Sequence, residues 1–472
     1  VGPSIVLGLA FVYHYRLRVL ADRTELWTQV SALLRQTTDT MCALTGTGLD
    51  KGRNAQELHV MIKRLQLGLC RRLYIEEGVA LNDALMENLF VVLVCMLNRL
   101  PVFLVGKPGT SKTLTMQVIA SNLQGKQSPN EFWRRYPSVH IFPYQCSPMS
   151  DSHSIQHQFD MAVRYQKHAG DALTVLLLDE VGLAEHSPSM PLKVLHAMLV
   201  NPPISIVGVS NWVLDPAKMN RALCLQRPDP SVDDIHKTGF SIMSLDDEGK
   251  QALSSFLQPL TQVFHDVYNH QVGRDFIGMR DYYSLIKLLR SELPRHIERL
   301  GRAGAFAKFL DLLVYAVCRN FGGKPETFRK VLASFLEKFD KSRHPVPTPV
   351  TKLIADNLVS SESRHLMLLT KNGAALQLLF GGGILDPCRT TVLVGSGFED
   401  DQTELHLVKQ INEVKLAMLR GDTCVLVNHD NIYEALYDVL NQRYLFKTDR
   451  QTGKVKKMLR LAIGSRRPPC PG

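Results

Sequence analysis

The sequence has no two cysteines at the Cys-x-x-Cys spacing that zinc-binding modules use. Its nine cysteines are spread singly from Cys42 to Cys470. An odd number of well-separated cysteines is also not the pattern of a disulfide scaffold. The distribution therefore excludes a zinc module in this stretch and favours a reducing compartment, which we take to be the cytosol.

A long hydrophobic run is absent as well. The apolar start, Val1–Tyr13, is shorter than the roughly 20 residues that span a bilayer, and it lacks the basic leading region of a signal peptide. We predict a buried helix there and no transmembrane segment. The first residue is not methionine, and the end, Ser465–Gly472, is rich in arginine and proline, from which we expect an incomplete or poorly predicted product.

Charge is not concentrated in any long block. The net charge is +10, but the basic residues are scattered apart from short runs such as Lys454–Arg460. A scattered basic surface does not favour a nucleic-acid partner. With 45% hydrophobic and 21% charged residues, the 472-residue chain has the composition of folded domains and the length of two or three of them.

Apolar runs that alternate with helical patterns indicate an α/β fold, with a parallel sheet covered by helices on both faces. Residues 79–100 form the clearest amphipathic helix, which ends before Pro101. Strands are predicted at Val102–Val105, Val139–Phe142, Leu173–Leu178 and Ile204–Val209, and later near Leu366–Leu369, Thr391–Val394 and Thr423–Val427.

We divide the chain into four segments. Residues 1–78 are mostly helical, residues 79–230 carry the first α/β pattern, and residues 231–343 are helical again. The proline-rich stretch His344–Pro349 is stiff and non-helical and marks a boundary. Residues 344–472 then begin a second α/β pattern, and our hypothesis is that it is a second copy of the first fold.

The connection after the strand Val102–Val105 matches a phosphate-binding loop (P-loop, or Walker A motif). It consists of Gly106, Lys107, Pro108, Gly109, Thr110, Ser111, Lys112 and Thr113. In such a loop the backbone N–H groups face the phosphates of ATP, the lysine reaches the β- and γ-phosphates, and the last hydroxyl ligates Mg²⁺. Ser111 replaces the usual glycine, and we expect its side chain to crowd the phosphates and weaken binding.

The strand Leu173–Leu178 leads into Asp179 and Glu180, the pattern of a Walker B motif. We expect Asp179 to hold Mg²⁺ through water. Glu180 is the candidate general base that polarises the attacking water. Together with the phosphate-binding loop, this pair predicts an ATP site.

Three further residues are candidates for catalysis. Asn211 follows the strand Ile204–Val209 and is expected to orient the attacking water. Arg221 is the candidate arginine finger for the γ-phosphate of a neighbouring unit, with Arg227 as the alternative. Arg280 lies in the helical segment, and we expect it to fold back onto the nucleotide.

The order of these motifs, followed by a helical lid, resembles that of AAA+ ATPases. Several strings resemble the fourth AAA+ unit of the mysterin family in particular: FLVGKPGTSKTL, FPYQCSP, LLLDEVGLAEHSPSMPLKVLH, VGVSNWVLDPAKMNRAL and MRDYYSLIK. This family comprises giant RING-type E3 ubiquitin ligases with a dynein-like core, in which six AAA+ units of one chain form a ring. The resemblance covers residues 1–465. It implies the end of a preceding lid in residues 1–40 and the start of the fifth unit in residues 350–465.

The resemblance also implies partners and a location. The neighbouring AAA+ units of the same giant chain are the expected partners, and ubiquitin-conjugating enzymes are expected to bind regions outside this chain. The RING is absent here, so we expect no ligase activity from this chain alone. Association with lipid droplets is implied by the family only.

The implied fifth unit is partial and degenerate. Residues 370–376 read Thr-Lys-Asn-Gly-Ala-Ala-Leu where a phosphate-binding loop is expected, and Asn428 and His429 stand where an Asp-Glu pair is expected. We expect no hydrolysis there. In the fourth unit the connection Val200–Pro203 is shorter than the family usually has, which puts the placement of Asn211 in question.

Three functional interpretations are open. The first is an ATP-hydrolysing module of a mysterin-like ligase, and the second is a non-hydrolysing scaffold with structural ATP, favoured by Ser111 and the short connection. The third, suggested only by the net charge, is a AAA+ remodeller of nucleic acid. Because the Lys112 site would need an arginine from the following unit, and none is recognisable before the sequence stops, we expect this chain to bind Mg·ATP but to hydrolyse it slowly.

Overall fold

The structure, a computed structural model, describes most of the chain. The described residues are 2–45, 55–148, 150–243, 247–271, 277–323, 325–339, 346–360, 363–371, 373–398, 401, 403–429, 432–433, 435–442, 445–448, 455–460 and 469–471. The chain divides into two compact units, residues 1–345 and residues 346–472. The division falls within the proline-rich stretch.

The first unit is built on a parallel sheet of five strands. They are β1 (Val102–Val105), β2 (Val139–Gln145), β3 (Leu173–Asp179), β4 (Ser205–Ser210) and β5 (Leu223–Gln226). Their order is β2-β3-β4-β1-β5, and every neighbouring pair is parallel. The four strands predicted in this region are confirmed, with β2 running further than expected. The edge strand β5 was not predicted.

The sheet is covered on both faces. In β1, Val102 and Leu104 pack into the core on one side, while Phe103 and Val105 pack into the core on the other. Successive side chains of a strand point to opposite faces, so a strand buried on both sides is predominantly apolar. This explains the continuous apolar runs of β1 and of Val175–Leu178 in β3, which also contains the buried polar residue Thr174.

Among the described residues of this unit, twelve α-helices surround the sheet or form a helical subdomain beside it. They are α1 (Gly2–Val12), α2 (Leu20–Thr45), α3 (Ala55–Cys70), α4 (Asp83–Leu97), α5 (Lys112–Asn122), α6 (Ser152–His168), α7 (Leu195–Met198), α8 (Pro216–Met219), α9 (Val232–Met243), α10 (Asp247–Asn269), α11 (Met279–Phe321) and α12 (Pro325–Glu337). The predicted helix in residues 79–100 is confirmed as α4, which starts where the Asn82 side chain accepts a hydrogen bond from Leu85 N. The helical character of residues 231–343 is confirmed by α9 to α12.

The helical subdomain has an aromatic core of its own. Phe264 of α10 and Tyr282 of α11 are buried, with ring centroids 4.7 Å apart. Phe309, further along α11, and Phe335 of α12 are also buried. These rings hold α10, α11 and α12 together and so determine where the first turn of α11 lies.

The helices at the start of the chain cover the outer edge of β5. Val6 and Ala10 of α1 are buried, as predicted for the apolar start, whereas Val12 and Tyr13 are about half exposed. Arg16, which follows α1, donates through Nη2 to Met219 O at 2.9 Å. An uncovered strand edge would expose unpaired backbone groups, and the covering helices shield this one.

A carboxylate is buried between two arginines where these helices meet the sheet. Arg23 Nη1 of α2 donates to Glu87 Oε1 of α4 at 3.0 Å, and Arg227 Nη1 donates to Glu87 Oε2. Burial alone would raise the pKa of Glu87, but Arg227 and Arg23 outweigh it and lower the pKa from 4.5 to about 2. Glu87 therefore stays ionised inside the protein.

The described part of the second unit contains two small sheets and four α-helices. The elements are α13 (Val350–Val359), α14 (Ala374–Gly381), β6 (Thr390–Val394), α15 (Glu404–Arg420), β7 (Thr423–Val427), α16 (Tyr437–Leu440), β8 (Leu445–Thr448), β9 (Val455–Arg460) and β10 (Pro469–Pro471). Strands β6 and β7 are parallel, whereas β8, β9 and β10 form an antiparallel sheet. The predicted strands near Thr391–Val394 and Thr423–Val427 are confirmed.

The prediction of a strand near Leu366–Leu369 is wrong. These residues are neither paired with a strand nor packed into a core, and Met367 and Leu369 are 82% and 77% exposed. An apolar run becomes a strand only where a neighbour accepts its backbone hydrogen bonds. No described strand lies beside residues 366–369.

None of the cysteines whose side chains the structure describes is in a disulfide, and five of them are buried. Burial raises the pKa of the Cys95 thiol to about 12, so this cysteine packs as a small apolar side chain. Within the described ranges, no helix combines the length and the apolar character that a membrane crossing requires.

We predict that Glu87→Gln lowers the free energy of unfolding at pH 7 by about 3 kcal/mol, because it leaves two buried guanidinium groups without their counter-ion. The loss should depend on pH. Since the pKa of Glu87 is lower in the folded protein, its contribution is complete above the unfolded value of 4.5 and is lost as the pH falls towards 2. Urea denaturation at pH 7 and at pH 2.5 tests this. A difference between variant and wild type that is equal at both pH values would contradict the prediction.

Candidate nucleotide-binding site

Three adjacent strands bring the predicted site residues to one edge of the sheet. Strand β4 lies between β3 and β1, and all three run parallel. Asp179 ends β3, Asn211 follows β4 and Gly106 follows β1. The Gly106 N–H donates to Ser210 O at 3.1 Å, which ties the start of the phosphate-binding loop to the end of β4.

The short connection before β4 does not displace this strand. Asn201 takes a left-handed conformation with φ of 48°, which turns the chain within the connection Val200–Pro203. Strand β4 still pairs along its length with β1 and β3, and Ile204 is fully buried. Asn211 therefore follows the end of β4 close to Glu180, and its role in orienting water stays a prediction.

The eight residues predicted to bind phosphate, Gly106–Thr113, form a single connection between β1 and the first turn of α5. A Cβ at Gly106 would lie 2.7 Å from Arg227 Cβ, and one at Gly109, whose φ is +87°, would lie 2.8 Å from Met279 Cβ. Only glycine fits at either position. The loop is thus enclosed by the residue after β5 on one side and by the start of α11 on the other.

Ser111 lies in the left-handed region, with φ of 59° and ψ of 20°. This conformation costs a residue with a side chain about 1–2 kcal/mol, whereas glycine adopts it freely. The structure thus gives a backbone reason for the glycine that such loops usually have here. The crowding of the phosphates by the Ser111 side chain stays a prediction.

Lys112 is buried at the start of α5 among carbonyl oxygens of its own loop. Its Nζ donates to Gly106 O at 2.5 Å and to Lys107 O at 3.0 Å. Burial lowers the pKa of Lys112 to about 8; Glu180 opposes this change and Arg280 adds to it. The ammonium group is therefore held within the loop and has few contacts with water.

The two acidic residues and Asn211 form the opposite wall of the site. Asp179 is 3% exposed, and Glu180 has a left-handed φ of 52°. Asn211 Nδ2 donates to Glu180 Oε2 at 2.7 Å. Burial and the neighbouring Asp179 raise the pKa of Glu180, against the lowering effects of Lys112, Asn211 and Arg280. A carboxylate with a raised pKa beside an orienting amide suits a general base.

The helical subdomain contacts the phosphate-binding loop through the first turn of α11. Arg280, in the first turn of α11, is exposed, and its charge lowers the pKa of both Lys112 and Glu180. Tyr283, one turn later, donates its hydroxyl to Gly109 O at 3.0 Å. Tyr283 was not predicted from the sequence, because no motif spacing reveals this contact.

A buried asparagine supports the loop from the other side. Asn88 Nδ2 of α4 donates to Thr110 O at 3.1 Å, and Thr110 Oγ1 donates to Lys107 O at 2.8 Å. Asn88 was also missed, because it lies within an amphipathic helix pattern. Contacts from α4 and α11 therefore fix the loop backbone at Thr110 and Gly109.

Arg221 and Arg227 lie at opposite ends of β5. Arg221 precedes the strand at the amino edge of the sheet, away from Lys112, and lines an open cavity of about 260 Å³ with Arg16 and Leu100. Arg227 follows the strand, is buried and pairs with Glu87. The alternative assignment of Arg227 as an arginine finger is therefore wrong, because its guanidinium is enclosed within its own unit.

The residues present fit Mg²⁺ that arrives with ATP. The Asp179 carboxylate and the Thr113 hydroxyl are hard oxygen ligands, and Mg²⁺ in such sites completes its shell with phosphate oxygens and waters. Thr113 is exposed in the first turn of α5, within reach of a ligand. In the described part of the chain, no three His, Cys, Asp or Glu side chains are clustered to hold a metal by themselves.

At the corresponding strand end of the second unit, the two described residues that follow β7 are not acidic. Asn428 follows β7 with a left-handed φ of 48°, and His429 is buried. A Cβ at Gly395 would lie 2.0 Å from Asn428 O, so the end of β6 is in close contact with this turn. The segment 370–376 includes Asn372, which lies outside the described residues. That the second unit does not hydrolyse ATP stays a prediction.

Two family models match the chain, and both are described as an RNF213 AAA domain. The first covers residues 78–234, which contain the site, and the second covers residues 355–471. Each unit of the structure therefore has its own match. Together with the parallel sheet flanked by helices, these matches confirm the predicted AAA+ P-loop fold.

The chain is also similar to three curated proteins. It is 34% identical over 419 residues to the E3 ubiquitin-protein ligase RNF213 of Mus musculus and 33% identical over 420 residues to RNF213 of Homo sapiens, in both cases over 84% of this chain. It is 34% identical over 441 residues to the E3 ubiquitin-protein ligase rnf213-beta of Danio rerio, over 89% of this chain. In each case the match spans 8% of the relative's own length.

We predict that Ser111→Gly raises the free energy of unfolding by about 1 kcal/mol, because glycine adopts the left-handed conformation without strain. Gln117→Gly, at an exposed position in the middle of α5, is the matched control and should lower the stability by a similar amount. Urea denaturation of both variants tests this. A loss of stability in both would show that Ser111 is not strained.

Proposed function

Because the chain belongs to the family of RNF213 (mysterin) AAA domains, we propose that its first unit is an ATPase module that binds and hydrolyses Mg·ATP. The geometry that carries this proposal is the meeting of Lys112, Glu180 and Asn211 at one sheet edge, with Asn211 and Glu180 in direct contact at 2.7 Å. Hydrolysis would drive or gate conformational change of a AAA+ ring.

In this proposal the loop backbone of residues 106–113 binds the phosphates. Lys112 exchanges its carbonyl partners, Gly106 O and Lys107 O, for the β- and γ-phosphates. Thr113 and Asp179 hold Mg²⁺, which when bound neutralises negative charge on the phosphates. Arg280 adds a further positive charge from the helical subdomain.

Glu180 and Asn211 then act on the water. Glu180 accepts a proton from it, and Asn211 positions both the carboxylate and the water. The raised pKa of Glu180 supports the first role, because it makes the carboxylate a better base. The hydrogen bond from Asn211 occupies Oε2 and leaves Oε1 available for the water.

The exposed Arg221 serves a different nucleotide. Its position at the amino edge of the sheet, away from its own loop, supports a role as an arginine finger for a neighbouring unit. By the same logic the Lys112 site receives an arginine from another unit, and this chain alone binds Mg·ATP but hydrolyses it slowly. The neighbouring AAA+ units of one giant chain are thus its partners.

The relatives are named as E3 ubiquitin-protein ligases. We propose that this module belongs to such a ligase, whose ubiquitin-conjugating enzymes bind elsewhere. A cytosolic location is supported by the free cysteines. Association with lipid droplets rests on family resemblance only.

A second candidate function is a scaffold that binds ATP without hydrolysing it. The left-handed Ser111 favours it, since a strained loop with an added hydroxymethyl group near the phosphates is poorly suited to turnover. Both candidates require binding at Lys112. They differ in whether Glu180 acts as the general base of hydrolysis, and substitution of Glu180 distinguishes them.

We predict that Lys112→Ala weakens binding of Mg·ATP at least 100-fold, because the loop loses its only buried ammonium group. Isothermal calorimetry on this chain at pH 7 measures the affinity. Lys126→Ala, at an exposed position beyond α5, is the matched control and should bind like the wild type. Equal affinity of Lys112→Ala and wild type would place the nucleotide elsewhere.

We also predict that Glu180→Gln retains ATP while wild type slowly converts it to ADP. Loss of a general base lowers the rate by about 10²–10⁴-fold. The bound nucleotide is measured by chromatography after denaturing samples over several hours, with exposed Glu131→Gln as the matched control. Equal ADP formation in both variants would exclude Glu180 as the base, and intact ATP in the wild type would favour the scaffold.

A further inference from the structure

Two carboxylates connect the segment 17–23, which leads into helix α2, to the phosphate-binding loop. Glu87 binds Arg23 of α2 and Arg227, the residue that touches Gly106. Asp229 lies within 4 Å of both Arg18 and Lys107 of the loop. The segment 17–23 is thereby connected to the loop at two successive residues, Gly106 and Lys107.

The connection through Glu87 is buried, and Arg23 contributes several hydrogen bonds to it. Arg23 uses its whole guanidinium: Nε donates to Leu17 O at 2.7 Å, Nη1 donates to Glu87, and Nη2 donates to Gln226 O at 2.8 Å. The Arg23 side chain is 5% exposed. Its three sets of bonds join α2, α4 and the end of β5.

Arg227 is the residue through which Glu87 acts on the loop. Its N–H donates to Val105 O at 2.7 Å, which places its Cβ 2.7 Å from where a Cβ added at Gly106 would lie. Arg227 Cγ would lie 3.0 Å from the same added Cβ, and its position follows from the rotamer that the bond to Glu87 holds. This rotamer therefore restricts the first residue of the loop.

The connection through Asp229 is exposed. Arg18 and Asp229 have side chains that are 51% and 44% exposed, with 3.4 Å between Nη2 and Oδ2. Lys107 Nζ lies 3.3 Å from Asp229 Oδ1 and 5.0 Å from the centre of the Tyr268 ring. Exposed ion pairs contribute little, so this second connection carries little coupling.

We propose that Arg23 is a positioning residue for the phosphate-binding loop, so that docking of α2 on the sheet edge and binding of Mg·ATP strengthen each other. This deepens the proposed function and rests on it for the nucleotide. Docking here consists of the Arg23 bonds to Glu87 and to Gln226 O at the end of β5. These bonds orient Glu87 and, through it, Arg227, and so keep Gly106 in its binding conformation. By thermodynamic linkage, nucleotide that orders Gly106 must stabilise the docked α2 to the same extent.

Two arginines of one segment provide a matched pair for the test. Arg23→Met keeps the aliphatic stem but removes the buried bonds, whereas Arg18→Met removes only the exposed pair. We expect Arg23→Met to weaken Mg·ATP binding about tenfold, and Arg18→Met to stay within about twofold of wild type. Calorimetry on the whole chain measures both affinities.

Hydrogen exchange provides a second readout that a loss of stability alone would not produce. Without nucleotide, amides of residues 103–114 should exchange faster in Arg23→Met than in Arg18→Met. With Mg·ATP, amides of residues 17–27 should be protected in wild type and much less in Arg23→Met. If Arg23→Met does not fold, Arg23→Lys replaces it, because an ammonium group still pairs with Glu87 but cannot also reach Leu17 O and Gln226 O.

The outcomes separate this inference from the proposed function. If wild type binds Mg·ATP and the Arg23 variant binds equally well with unchanged exchange at residues 103–114, the coupling is wrong and the function stands. If wild type binds no nucleotide, the function fails, and exchange at residues 103–114 without nucleotide still decides whether Arg23 positions the loop.

Discussion

The parallel register of β3, β4 and β1 is the constraint on which the rest of the first unit depends. It places Glu180, Asn211 and the phosphate-binding loop on one edge although 31 residues separate the first two in the chain. A shift of β4 by one residue would turn its side chains to the other face and remove Asn211 from Glu180. The strands are buried on both faces, which makes such a shift costly. The core and the chemistry thus require the same register.

Much of this site is visible in the sequence because its chemistry is local. Gly106–Thr113 and the Asp179–Glu180 pair are short segments whose residue types match the patterns of phosphate- and Mg²⁺-binding motifs. The strands β1 and β3 were predictable because burial on both faces makes most of their residues apolar. Strand β5 was missed because it has four residues and ends in Gln226, so it has no pattern that periodicity can detect.

The unpredicted features are those that depend on distant contacts. Nothing near Arg227 in the sequence reveals that Glu87 would bury it, and nothing near Tyr283 reveals the carbonyl of Gly109. The apolar run at Leu366–Leu369 shows the opposite error. Its local pattern predicted a strand, but no described strand lies beside it to accept its backbone hydrogen bonds. Ser111 shows a third limit, because its conformation is imposed by the loop against its own preference.

The helices that cover β5 also set an order of events during synthesis. Arg16 and Arg23 contact residues 203 positions later in the chain. At a synthesis rate of about 5–20 residues per second, the ribosome needs on the order of 10–40 s to produce those partners. Throughout this interval the apolar side of α1 has no sheet edge to cover. The nascent module is therefore most exposed to chaperones and to aggregation just before β5 emerges, and translation speed across residues 24–226 sets how long that exposure lasts.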